Sequence, residues 1–172
     1  MTNPQVSYSE LFSKVNFQAA CLQERFSPNG ICFGCGPKND LGLKVRSFEV
    51  LDSLRVLAEW KPSVHHQAFP GVLNGGIIGA LLDCHSNWTA AWLIMKERGQ
   101  QEPPCTVTSD FHVKLRRPTS SDQPLRLIAH AAQVDQERAT IEAVLESGGK
   151  VTATCTGTFV AVKPGHPAFH RW

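Results

Sequence analysis

The chain of 172 residues lacks any apolar run near the roughly 20 residues that a bilayer-spanning helix needs. Its first residues, Met1-Thr2-Asn3-Pro4-Gln5, lack the basic-then-apolar pattern of a secretory signal. A charge surplus is missing too: 17 Lys and Arg against 15 Asp and Glu leave a formal net charge of +2. That balance points to neither nucleic acid nor an anionic membrane, and no basic cluster exceeds the pair Arg116-Arg117. Repeats and low-complexity stretches are absent. No second Cys-x-x-Cys accompanies Cys32-x-x-Cys35, and Cys21, Cys84, Cys105 and Cys155 are scattered. A structural zinc site needs about four ligands. The six cysteines are therefore read as reduced thiols of a cytoplasmic protein, with Cys32 and Cys35 packed in a glycine-shaped loop. No metal and no cofactor are expected. The length predicts one main domain with a sizeable core.

The most apolar stretch holds one carboxylate. Gly75-Gly76-Ile77-Ile78-Gly79-Ala80-Leu81-Leu82 leads to Asp83, and Trp88, Ala90, Ala91, Trp92, Leu93, Ile94 and Met95 follow. Burying that charge is costly unless something pairs with it or uses it. The segment begins with Phe69-Pro70-Gly71-Val72-Leu73-Asn74, a turn that feeds a helix start. The spacing predicts a helix from residue 75 to about 98, stopped by Gly99 and by Pro103-Pro104. Cys84 and His85 diverge by about 100° on that helix, so they form no nucleophilic dyad. A buried cysteine and a packed histidine are expected there, and Trp88 and Trp92 are assigned to the core.

Around this helix the pattern changes period. Leu11, Phe12, Val15, Ala19 and Leu22 predict a first helix over residues 8–26, with Ser7-x-x-Glu10 as a capping box. Residues 43–50 and 54–60 predict a strand pair, and residues 61–70 a loop. Four further strands are predicted over 106–115, 125–134, 139–145 and 151–162. Turns are predicted at Asp135-Gln136-Glu137 and Ser147-Gly148-Gly149-Lys150. Helix, two strands, helix, four strands is an α+β order, and it excludes a doubly wound parallel sheet. A helix apolar on nearly all sides fits a sheet that wraps it. An exposed sheet edge then favours a dimer.

The string Phe69-Pro70-Gly71-x-x-Asn74-Gly75-Gly76, with Asp83 further on, resembles the hot-dog-fold acyl-CoA thioesterases. The likeness is to the phenylacetate-pathway and thioesterase-superfamily branches. Cys32-Phe33-Gly34-Cys35-Gly36-Pro37-x-Asn39-x-x-Gly42-Leu43 and Phe111-x-Val113-x-Leu115-Arg116-Arg117-Pro118 resemble flanking segments of the same family. The resemblance implies an α+β hot-dog domain over 31–165: a sheet of five or six antiparallel strands around one long helix. It leaves an N-terminal helical extension over 1–30 and a tail over 166–172. It implies hydrolysis of an acyl-CoA or acyl-carrier-protein thioester by a homodimer or a dimer of dimers. The Gly75 N–H would polarise the carbonyl, Asp83 would act as base or nucleophile, and Thr108 would position water. Gly76, His66 and Phe69 near the helix start, and Arg116 and Arg117 toward the CoA phosphates, are the substrate-binding candidates.

Two consequences follow from the residues themselves. The nine helical residues from Gly75 to Asp83 rise about 13 Å at about 1.5 Å each. One chain's Gly75 and Asp83 cannot reach the same carbonyl carbon, so a shared site needs two subunits. The family histidine is Asn74 here, which hydrogen-bonds a carbonyl but takes up no proton near neutral pH. A module that binds an acyl- or aromatic-CoA ligand without turnover is the alternative.

Overall fold

The computed structural model describes residues 8–169. Residues 1–5, the proposed cap Ser7 and the last three residues of the expected tail lie outside the described residues. In chain order the elements are α1 (Tyr8–Ser13), α2 (Leu22–Phe26), β1 (Phe48–Val50), β2 (Arg55–Trp60), a 3-10 turn (Val64–His66), β3 (Gln67–Phe69), β4 (Val72–Leu73), α3 (Gly75–Glu97), β5 (Thr106–Leu115), β6 (Leu125–Val134), β7 (Arg138–Ser147) and β8 (Lys150–Ala161). Six strands form one antiparallel sheet in the order β1-β2-β6-β7-β8-β5. The pair β3-β4 stands apart. No helix among the described residues is long and apolar enough to cross a membrane.

The period-2 pattern of the strands puts Leu127 and Ala129, Ile141 and Leu145, and Ala153 and Phe159 on one face. That face packs on Ile78, Leu81, Leu82, Trp88, Trp92 and Ile94 of α3. Because the sheet covers several sides of the helix, α3 buries residues around most of its circumference. The opposite face of the sheet is partly covered by Leu11 and Phe12 of α1, which pack with Val50, Leu57 and Ile128.

The predicted first helix is broken in two. At the end of α1 Ser13 Oγ donates to the Glu10 carbonyl (2.8 Å), and beyond it Asn16 Oδ1 accepts the N–H of Gln18 (3.0 Å). Such local side-chain bonds compete with helix continuation. Glu24 then starts α2 by accepting the Cys21 N–H (3.0 Å). The predicted strand over 43–50 is shortened to Phe48–Val50. Lys44 adopts a left-handed φ of 50°, and the segment turns instead to the cysteine loop. There Leu43 N–H bonds the Phe33 carbonyl (2.7 Å) and Val45 N–H bonds that of Gly34 (3.0 Å). The expected loop over 61–70 contains the 3-10 turn and β3. The other predicted strands and both turns are found where the pattern put them, with Gly148 and Gly149 at φ of 56° and 76° in the β7–β8 hairpin.

One buried polar chain ties these parts together. The carbonyl of Val56 on β2 can only accept, so His85 Nε2 carries the proton and donates to it (3.1 Å). His85 Nδ1 therefore accepts from Ser47 Oγ (2.9 Å), and Ser47 Oγ accepts from Gln23 Nε2 of α2 (3.0 Å). His85 has no exposed surface. Burial lowers its pKa from 6.5 to about 4. The folded state thus resists a proton that the unfolded chain accepts. This contribution is fully present above about pH 6.5 and is lost as the pH falls from 6.5 to 4. Its full size is on the order of 3 kcal/mol at about 1.4 kcal/mol per unit. Urea unfolding at a series of pH values should show this loss in the wild type and not in His85→Gln. Equal pH slopes in the two proteins would contradict the assignment.

Candidate functional site

Asp83 lies one helical turn before Asn87, and both line a cleft of about 400 Å³ between α3 and the cysteine loop. Cys32, Cys35, Gly36, Pro37 and Trp88 complete much of its wall. Asp83 Oδ1 accepts a hydrogen bond of 2.7 Å from Thr108 Oγ1 on β5. Burial lifts the Asp83 carboxyl above the usual carboxylate range, the Thr108 hydroxyl opposes that lift, and charge on Cys32 adds to it. A carboxylate raised in this way is closer to the operating pH of a general base. Cys155, on β8, is pushed up to about 11 by its burial and by the nearby Asp83 charge.

The sequence alone does not reveal why Thr108 meets Asp83. Simple alternation would put Val107 on the same face as Phe111, Val113 and Leu115. The register of β5 on β8 shifts between Thr108 and Asp110. Before this bulge Thr108 stands opposite Phe159, which is fully buried, and after it Val113 stands opposite the buried Cys155. The bulge therefore turns Thr108 inward and Val107 outward. Bulges re-aim side chains in this way.

At the other end of the same helix segment, Asn74 is the N-cap of α3. Its Oδ1 accepts the N–H of Gly76 (2.7 Å) and of Ile77 (3.3 Å). A cap of this kind is worth about 1 kcal/mol. The Gly76 amide is thereby used within the chain. The Gly75 N–H meets no acceptor among the described residues. With Oδ1 committed to the cap, the Nδ2 amide of Asn74 remains a donor. A helix start with an unpaired amide favours negative charge.

The other predicted residues fall into two groups. His66 is close to the start of α3: its carbonyl accepts the Asn74 N–H (3.0 Å). Its Nδ1 accepts the Ser63 N–H (2.9 Å), its ring lies 4.9 Å from that of Trp60, and burial then the His65 charge lower its pKa. Phe69, on β3, is largely exposed. Arg116 belongs to a different surface. It lines a groove of about 520 Å³ with Arg55, His112, Lys114 and His130, on the sheet face that α1 partly covers. Its Nε donates to Thr154 Oγ1 (3.2 Å). Arg117 is exposed just beyond the end of β5.

The reading of Cys84 as one of several scattered cysteines is overturned. The helix carries it to the loop, and the sulfurs of Cys32, Cys35 and Cys84 all lie within 4.8 Å of one another. Hydrogen bonds from Cys35 and Cys84 hold the Cys32 thiol far below its ordinary pKa, and the same bonds push those of Cys35 and Cys84 up. Asn87, bonded to Thr106 on β5, is a further polar lining group that sequence reasoning passed over. The i, i+4 spacing of Asp83 and Asn87 was the signal for it.

No protein-family model matches the chain, and no curated protein matches it. Solved structures do. A crystal structure of a thioesterase superfamily protein is similar at 25% identity and a TM-score of 0.62, over 75% of this chain and 62% of that one. The chain thus spans less than two thirds of that protein's length. A thioesterase superfamily protein from Shewanella loihica is 24% identical with a TM-score of 0.58, over 69% of this chain and 91% of that one. A phenylacetic acid degradation-related protein from Ralstonia eutropha is 19% identical with a TM-score of 0.58, over 69% and 86%. The α+β architecture is the hot-dog fold of the thioesterase superfamily, as the motifs implied.

The Asp83–Thr108 bond can be tested directly. Thr108→Val removes the one side-chain donor that favours the carboxylate, so the Asp83 pKa should rise further. A carboxyl NMR titration of the two proteins measures this. An unchanged or lower value in the variant would contradict the pairing.

Proposed function

We propose that this hot-dog chain hydrolyses an acyl thioester of CoA or of an acyl carrier protein, at a site built by two subunits. The observation that carries this reading is the Asp83–Thr108 pair: a carboxylate raised by burial, held by a hydroxyl, and facing a cleft from an otherwise apolar helix. Such a carboxylate is costly to keep in place, and water activation gives it a use.

The thioester carbonyl oxygen would accept from the Gly75 N–H and from Asn74 Nδ2. The carboxylate of the partner subunit's Asp83 would take a proton from water as that water attacks the carbonyl carbon. The Thr108 hydroxyl donates its hydrogen bond to Asp83, so its oxygen lone pairs would be left to accept from the same water and orient it. Collapse of the tetrahedral intermediate would expel the thiolate, which takes the proton that Asp83 received from water and so restores the carboxylate. Direct attack by Asp83 on the carbonyl would use the same positions.

Two subunits are required because α3 is one unbroken helix between Gly75 and Asp83. A dimer is also supported by the sheet. Strand β5 is one of its two edges, ten residues long, with Phe111 and Leu115 exposed at 44% and 57%. An edge of that length is normally covered. His66, Phe69 and Gly76 near the start of α3 would border the acyl group, and Arg116 and Arg117 would reach CoA phosphates on the partner's side. The reducing cytoplasm suits the free thiols beside this cleft.

Asn74 favours a second reading, a module that holds an acyl- or aromatic-CoA without turnover. Asn74 supplies a cap and a donor but no titratable proton.

Two variants test the catalytic reading. Asp83→Asn should keep the fold and dimer and lower turnover of an acyl-CoA panel by roughly 10²–10⁴-fold. Gly75→Pro deletes the amide proton and adds the carbons of the proline ring. The preceding residue already has φ −64° and ψ 135°, which suits a following proline. An added Cβ at residue 75 meets only the tip of Leu115 at 3.2 Å. That variant should lose roughly 10²–10³-fold. Saturable binding of the panel with no hydrolysis by the wild type would favour the second reading.

A further inference from the structure

Three thiols from distant parts of the chain meet beside Asp83. Cys32 and Cys35 are on the loop after α2, and Cys84 is on α3. The Cys32 and Cys84 sulfurs are 3.7 Å apart. A disulfide would need about 2.05 Å. Thiolates on one tetrahedral zinc ion, each at about 2.3 Å, stand about 3.8 Å apart. The observed spacing matches the edge of such a tetrahedron.

The surroundings of the sulfurs point the same way. Trp88 Nε1 donates to Cys35 Sγ at 3.3 Å. This is a donor placed on sulfur, a contact that stabilises a ligating thiolate. The loop is shaped for this approach. A Cβ on Gly34 would lie 2.3 Å from Cys84 Sγ, and one on Gly36 would lie 2.5 Å from the Cys32 nitrogen. Cys32 is exposed, so an ion has a path to the cluster.

We propose that Cys32, Cys35 and Cys84 bind one thiophilic divalent ion of the zinc class, with the fourth position open to the Asp83 cleft. Three soft sulfur ligands select such an ion over magnesium or calcium. Among the described residues no fourth His, Cys, Asp or Glu joins the group, so solvent or a ligand in the cleft completes the tetrahedron. Each thiol gives up its proton as it ligates. The ion clamps the loop to α3 and so fixes one wall of the cleft. This inference is independent of the thioesterase reading, because its test measures metal and not turnover.

The test uses the full chain, reduced and stripped by a chelator, with Co²⁺ as the probe. One Co²⁺ per chain should bind, with thiolate-to-cobalt charge-transfer absorption and the strong visible bands of a tetrahedral ion. One equivalent of Zn²⁺ should erase those bands. Loss of groups that only support ligands costs about 10–100-fold in affinity, so Cys84→Ser and Cys32→Ser should lose at least about 100-fold. Cys105→Ser should bind as the wild type does. A wild-type chain that gives no thiolate–cobalt absorption after reduction would overturn the proposal, whether or not the variants fold. So would full-strength absorption in a folded Cys84→Ser.

Discussion

Enclosure of α3 by one face of the sheet is the constraint on which the rest of the molecule depends. Apolar side chains around most of the helix need partners, and the inward residues of β6, β7 and β8 supply them. Polar groups carried into that enclosure must then be satisfied. His85 is satisfied by Ser47 and Val56, and remains neutral. Asp83 is satisfied only in part, by Thr108, at the rim of a cleft. The difference between those two residues separates structure from chemistry. The histidine is locked by partners on both ring nitrogens. The carboxylate keeps one oxygen for something else.

Asn74 illustrates how a local stability device and a site can share one residue. The cap uses Oδ1 and consumes the Gly76 and Ile77 amides. It leaves Nδ2 and the Gly75 amide as donors. Where the resembling family has a histidine, this chain has a residue that strengthens the helix start and gives up proton transfer. In the proposed reaction the chemistry asked of the helix start would be purely electrostatic, and the proton traffic would rest on Asp83 and Thr108.

Much of the fold was legible in the residues because the signals were local. The apolar run after Asn74-Gly75-Gly76 marked α3 to within about a residue, and β-branched alternation marked the four long strands. What was missed depended on side chains acting on the backbone or on contacts between distant segments. Asn16 and Ser13 broke a helix that the apolar spacing alone supported. A left-handed Lys44 ended a strand that composition favoured. The bulge after Thr108 reversed the facing of β5 at the one position where it matters for Asp83. Cys84 looked isolated because its partners are 49 and 52 positions away in the chain and share no motif with it.

The central claim is that Gly75 and Asp83 of different subunits serve one carbonyl. Mixing purified Asp83→Asn and Gly75→Pro chains under subunit exchange tests it. Each is inactive alone, but a mixed dimer holds one site with both an intact Gly75 amide and an intact Asp83. Random pairing should restore roughly a quarter of wild-type hydrolysis, since half the dimers are mixed and each has one working site of two. No recovery, in dimers shown by mass to have exchanged, would contradict a shared site.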